Sequence, residues 1–155
     1  MRIDNWLEGH WALVLGASSG FGAEVSEALS EYGVNIIGVH LDRKGTMGNV
    51  EKIISKIESN GSKAKFFNIN AADEEKRNLV LNEMMSAIGN DEKKIKILLH
   101  SLAFGSLKPY LSKDSSSNVT QKNMEMTMDV MANSIVYWTQ GVVERSLFSS
   151  NARIY

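Results

Sequence analysis

Gly16-Ala17-Ser18-Ser19-Gly20-Phe21-Gly22 follows directly on the apolar run Trp11 to Leu15 and opens a helix-like stretch that ends near Tyr32. Glycine lets the backbone turn sharply and approach a pyrophosphate with no side chain in the way. A helix N-terminus adds unpaired N–H groups and positive potential. The chemistry implied is the binding of a phosphate-bearing nucleotide by Gly16, Ser18, Ser19, Gly20, Phe21 and Gly22. A flexible strand-to-helix loop is the plain alternative, and the strand before and the amphipathic helix after give the turn its nucleotide-binding context.

Such a turn has to be carried by a strand that ends beneath it and a helix that leaves from it. Apolar, β-branched runs recur at Trp11 to Leu15, Asn35 to His40, Ala64 to Ile69, Ile95 to His100, and from Ala152 onward. Between them, helix-period segments run at about Gly20 to Tyr32, Asn49 to Asn60, Asp73 to Ile88 and Thr120 to Phe148. Alternation of this kind predicts an α/β protein, a three-layer doubly wound Rossmann fold around a parallel sheet, with the ligand at the carboxyl ends of the strands. The whole of residues 1–155 reads as one dinucleotide-binding domain. Phe104 to Asn118 forms the long connection, holding the only proline, Pro109, and a polar run from Ser112 to Asn118. Loops of that length after a central strand are more often functional than not, a mobile surface loop being the other reading. In the helix that follows, Met124, Met128, Met131, Ile135, Trp138 and Val142 fall three or four apart and predict one apolar stripe. Val130 and Tyr137 would then lie on a second apolar side in need of a partner, and a homo-oligomer is expected.

Composition narrows the classes further. A length of 155 residues with 43% hydrophobic content suits one core. Seventeen basic against eighteen acidic residues leave a net charge of -1, so no global field draws the chain to nucleic acid or to a membrane. Cysteine is absent, which excludes thiolate catalysis and cysteine-ligated metals and fits a reducing compartment, the cytoplasm by default. His10, His40 and His100 share no ligand spacing, and no metal is expected. No apolar signal core or membrane-length stretch is present in the sequence.

The spacing GxxxGxG, with Leu7-Glu8-Gly9-His10-Trp11-Ala12-Leu13-Val14-Leu15 ahead of it, resembles the opening of the short-chain dehydrogenase/reductases. The resemblance runs along essentially the whole chain and implies a nicotinamide-dependent oxidoreductase acting on a small-molecule substrate. In that family the end of the second strand decides between NAD and NADP, since an acid there binds the ribose 2′-hydroxyl and repels a 2′-phosphate. His40 holds that position here and Leu41, Asp42, Arg43 and Lys44 follow. The late acid and the basic surroundings favour NADP(H) over NAD(H), with Arg43 able to pair with the 2′-phosphate through two charge-assisted bonds. A solvated turn, with Asp42 near the spacing of a ribose-binding acid, is the other reading.

Ile69-Asn70-Ala71-Ala72-Asp73 resembles the family's V-D-V-x-D segment beside adenine, with Asn70 in the place of the aspartate. The amide oxygen of Asn70 can still accept from the adenine amino group, Ala71 lies next to it, and Asp73 reads as the cap of the next helix. The fourth strand ends His100-Ser101-Leu102-Ala103-Phe104 where most members carry N-N-A-G. That form resembles the divergent enoyl-acyl-carrier-protein reductases. It places Leu102 and Ala103 along the cofactor, Ser101 on the backbone beneath it, and His100 either as a ligand or as a structural histidine. Met131 stands at the position of the family's relay asparagine in Met128-Asp129-Val130-Met131, and methionine cannot donate to a water chain.

The family's chemistry also needs a tyrosine with a lysine four residues on. Tyr32, Tyr110 and Tyr137 have no such lysine, and Tyr155 is the last residue of this sequence. No catalytic residue is therefore assigned within the chain. It reads as the cofactor-binding, N-terminal portion of a longer reductase that transfers hydride to an enoyl thioester or a carbonyl, expected to be inactive alone. A non-catalytic dinucleotide-binding module is the alternative.

Overall fold

The computed structural model describes residues 6–89 and 92–155. Five strands, β1 (Trp11–Leu15), β2 (Asn35–His40), β3 (Ala64–Asn68), β4 (Ile95–His100) and β5 (Phe148–Ile154), form one sheet in the order β3-β2-β1-β4-β5. Every neighbouring pair is parallel. Helices α1 (Gly20–Glu31), α2 (Met47–Ser59), α3 (Glu74–Ile88), α4 (Gln121–Met128) and α5 (Ser134–Glu144) flank it. The sequence order of the strands reverses beside β1, and a ligand crevice is expected at the carboxyl ends of β1 and β4.

Strand alternation divides the core in two. Trp11, Leu13 and Leu15 point into one cluster, together with Ile37, Leu81, Met84, Trp138 and Val142, while Ala12 and Val14 join Ile36, Ile53 and Ile57 in the other. Side chains of β4 do not keep this period. Ile95 and Leu98 share the first cluster, and Ile97 and Leu99 pack on the second. The register explains it: Trp11 pairs with Ile95 but Ala12 with Ile97, so Lys96 is an extra residue on β4.

The same irregularity shapes β5. Phe148 pairs with Ile95 and Arg153 with Ile97, and Ser149 to Ala152 loop out between the two pairs. Lys96 closes the gap, its Nζ donating to the Ser150 carbonyl at 2.6 Å and lying 5.3 Å from the centre of the Trp6 ring. The strand expected from Ala152 thus begins at Phe148, because its first pairing residue precedes the bulge.

The expected helix from Thr120 to Phe148 is two helices joined by a π-helical segment, Asp129–Asn133, and it ends at Glu144. Thr120 starts it through a capping box with Asn123. Ser146 ends it in the left-handed region, turning the chain so that the Leu147 carbonyl accepts from Ile95 N.

The single apolar stripe does not form. One residue extra in the π segment rotates the helix face by about 100°. Inward positions become Val130, Ser134, Trp138 and Val142, whereas Met124, Met128 and Met131 are 52%, 51% and 42% exposed. Val130 is buried rather than waiting for a partner. Tyr137 is half-buried, its hydroxyl donating to Asp129 Oδ1 at 2.9 Å with the Arg77 guanidinium 5.0 Å over its ring.

Candidate functional site

A cleft of about 310 Å³ opens at the carboxyl edge of the sheet, where the segments following β1, β2, β3 and β4 converge. Its first wall is the glycine-rich turn, which is pinned on both sides. Gly16 N and Ala17 N donate to the Val39 carbonyl at 2.8 and 3.1 Å, and Ser101 N donates to the Leu15 carbonyl at 2.7 Å. The three glycines do different work. A Cβ on Gly16 would run into the Ser101 backbone, and one on Gly22 would run into the Gly16 carbonyl. Gly20 has φ +53, and a Cβ there would meet nothing within 4 Å. Gly16 and Gly22 therefore allow backbone to close on backbone, and Gly20 supplies a left-handed residue beside open space.

At the start of α1, Ser19 is an extended N-cap that makes no side-chain cap bond, and the first turn holds no acidic residue. Its N–H groups are left without a side-chain acceptor from the cap, at the end of the cleft lined by Ser18, Ser19, Gly20 and Phe21. Phe21 is 84% exposed.

His40 and Leu41 form the next part of the wall. His40 is almost wholly buried, and its Nδ1 lies 2.9 Å from Asp42 Oδ2. Thr46 Oγ1 donates to Asp42 Oδ1 at 2.7 Å. Partial burial pushes the Asp42 carboxyl up, but hydrogen bonding from Ser18, Thr46 and His40, with the charge of His40, outweighs it and holds the group below its ordinary range. Arg43 is exposed and does not line the cleft.

Asn70 and Ala71 continue the wall from β3. The side-chain oxygen of Asn70 accepts from Ala72 N at 3.0 Å, so it is already engaged in its own turn rather than wholly free for an adenine amino group. Asp73 caps α3 through Lys76 N. Beyond β4, Ser101, Leu102, Ala103 and Phe104 line the cleft, with Val130 facing them from the π segment.

His100 turns away from the cleft. Its Nε2 is 2.8 Å from Ser134 Oγ, and that hydroxyl donates to the Val130 carbonyl at 2.7 Å. Since the hydroxyl proton is committed to Val130, the imidazole is the donor to Ser134. Burial pushes the His100 pKa down, against the pull of backbone hydrogen bonds at His100 and Val130. Its geometry is that of the structural histidine considered from the sequence.

Twelve of the fifteen residues expected at a cofactor site line this one cleft, and Gly22, Arg43 and His100 do not. Val39, Ile69, Phe104 and Val130 line it unforeseen. Val39 and Ile69 stand at or just past strand ends and were legible as edge positions. Val130 was not, because only the π segment turns it inward. Among the described residues there is no group of three or more His, Cys, Asp or Glu side chains placed to hold a metal ion, and no helix long and apolar enough to cross a membrane.

Comparison with known proteins fits this architecture. A short-chain dehydrogenase of Burkholderia cenocepacia J2315, solved in complex with NADP, superposes with a TM-score of 0.77 at 20% identity, over 96% of this chain and 54% of its own. An NAD+-bound xylitol dehydrogenase gives 0.75 at 17% identity, over 96% and 52%. L-Sorbose reductase from Gluconobacter frateurii, complexed with NADPH and L-sorbose, gives 0.72 at 18%, over 92% and 49%. The chain spans about half the length of these structures. No curated protein matches it significantly. The family model described as short chain dehydrogenase matches residues 10–154, which takes in all five strands and every residue that lines the cleft, and the chain belongs to that family.

Proposed function

We propose that this chain supplies the cofactor-binding half of a reductase that prefers NADPH and delivers hydride to an enoyl thioester or a carbonyl. The observation that carries the reading is the uncapped first turn of α1 opening on the glycine-rich wall of the cleft. The residues present fit a dinucleotide there. Gly20 leaves room above the turn, the α1 N–H groups suit a pyrophosphate, and Ser101 to Ala103 offer a wall for the distal end. When bound, the nicotinamide would supply the hydride. The chain's own residues bind and orient it and exclude water with Leu102, Phe104 and Val130. Preference for NADPH rests on His40 in place of an acid and on Arg43, and the relatives named above divide between the two nucleotides. The His100 to Phe104 segment and Met131 support an enoyl substrate. Within residues 1–155, read as one domain, no catalytic residue is assigned, and turnover is expected only with a downstream Tyr-x-x-x-Lys pair. A cysteine-free composition suits a cytoplasmic setting.

Calorimetric titration tests the nucleotide site. NADPH should bind more tightly than NADH, Arg43→Ala should weaken NADPH more than NADH, and a folded Gly20→Val chain should lose most of both. Unchanged affinity in Gly20→Val would take the site away from the turn. A coding sequence without Tyr-x-x-x-Lys after Tyr155 would favour the non-catalytic module. The exposed face carrying Met124, Met126, Met128 and Met131 supports a homo-oligomer. Light scattering of the full-length protein at micromolar concentration should show mass above the monomer, and a concentration-independent monomer would refute it.

A further inference from the structure

Asp42 is the carboxylate next in sequence to the position where a ribose-binding acid is expected, two residues beyond His40. Its geometry serves another purpose. One oxygen is taken by Thr46 Oγ1 and the other by His40 Nδ1, and its backbone is tied as well. Asp42 N donates to Asn68 Oδ1 at 2.9 Å, and Asn68 Nδ2 returns a bond of 2.9 Å to the Asp42 carbonyl. Asn49, on α2, donates to the Ser18 carbonyl at 2.8 Å. The end of β2, the end of β3 and the entry to α2 are thus joined by bonds centred on Asp42, and a separate bond from Asn49 ties α2 to the glycine-rich turn. Asp42 itself does not line the cleft, although His40 and Leu41 beside it do.

We infer that Asp42 is a positioning residue, a brace that holds the β2–α2 turn through His40 and Thr46 while Asn49 ties α2 to the glycine-rich turn, and that it is not the acid that selects NADH by binding a ribose hydroxyl. The inference rests on the nucleotide-binding reading of the cleft. A carboxylate that selects NADH faces the cleft at the 2′ position, where it accepts from the ribose hydroxyl and repels a 2′-phosphate. This one does not line the cleft and has each oxygen bonded within the protein, and removing it takes away support common to both nucleotides. Thr46 gives an independent handle, because it does not line the cleft and can affect a nucleotide only through Asp42 or the turn that it holds.

The experiment titrates NADPH and NADH into the wild-type chain and into Asp42→Asn, Thr46→Val and the double variant. Asp42→Asn should weaken both nucleotides by a similar factor, about 3- to 10-fold, and leave their ratio within about twofold of wild type. Thr46→Val should weaken both in the same direction, and the double variant should lose no more than the larger single loss, as expected for residues acting as a unit. Amide exchange should rise across Ser18 to Gly20 and Leu41 to Thr46 in Asp42→Asn while β1 and β4 stay protected, which separates a displaced turn from general unfolding. Loss of NADH affinity with unchanged or improved NADPH affinity in Asp42→Asn would overturn the inference, as would an Asp42→Asn chain unchanged in both affinity and exchange. If the wild-type chain binds neither nucleotide, the reading of the cleft falls and the exchange measurement alone decides whether Asp42 is the brace.

Discussion

The three glycines of the first turn look alike in sequence, and the structure separates them by what a single methyl group would strike. At Gly22 the methyl meets the Gly16 carbonyl, which is backbone and cannot move aside. Gly22→Ala should cost about 2 to 3 kcal/mol, as overpacking against fixed atoms does. Gly20→Ala should cost only about 1 to 2 kcal/mol, the penalty of left-handed backbone for an L-residue, because nothing stands in its way. Urea unfolding of both variants checks the order, and a Gly20→Ala chain less stable than Gly22→Ala would contradict it. His100 gives a pH dependence at the same scale. Its folded-state pKa lies below the ordinary value of 6.5, so the unfolded chain takes up the proton first as the medium is acidified. The contribution to stability is whole above pH 6.5 and is lost as pH falls from there through the depressed value. Denaturation midpoints measured at pH 7.5 and 5.5 should fall more in the wild type than in His100→Gln, and parallel falls would deny His100 that role.

Strands were the most legible elements, and the reason is local. Trp11 to Leu15 is a continuous apolar run and Asn35 to His40 holds another at its centre, Ile-Ile-Gly-Val, both suited to burial on both faces, and their bounds match the structure. Cleft residues followed from them, since strand ends at one edge converge wherever a parallel sheet forms. Two features were hidden because they depend on an extra residue rather than on a pattern. Lys96 shifts the phase of β4, and the π segment shifts that of the helix after it. Neither insertion alters composition or hydrophobic spacing, so a stripe counted from Met124 to Val142 runs across a rotation that it cannot register. The π segment is held by Ser134, which is fully buried and joins His100 to the Val130 carbonyl. Ser134→Ala would leave the imidazole N–H without its acceptor and should destabilise the protein by about 1 to 3 kcal/mol. Thermal unfolding would show it, and an unchanged midpoint would mean that the bulge is held by the other contacts.

For the molecule as a whole, the strand order governs the time at which each part can form. β1 sits at the middle of the sheet, yet one of its neighbours begins at Asn35 and the other at Ile95. A chain emerging at roughly 5 to 20 residues per second completes β1, β2 and β3 about 1 to 6 seconds before β4 exists. During that interval one flank of a wholly apolar strand, Trp-Ala-Leu-Val-Leu, offers unpaired N–H and C=O groups to any other extended segment nearby. Contacts so distant in sequence also form late when the whole chain refolds from denaturant, because the loop between them must be closed first. Pulsed hydrogen exchange during refolding should protect the β2 and β3 amides ahead of those in β4 and β5, and protection of β4 before β3 would contradict it. The vulnerable species is then a half-made sheet, and chaperone binding or aggregation during synthesis should depend on the outer edge of β1 rather than on any surface that the finished protein shows.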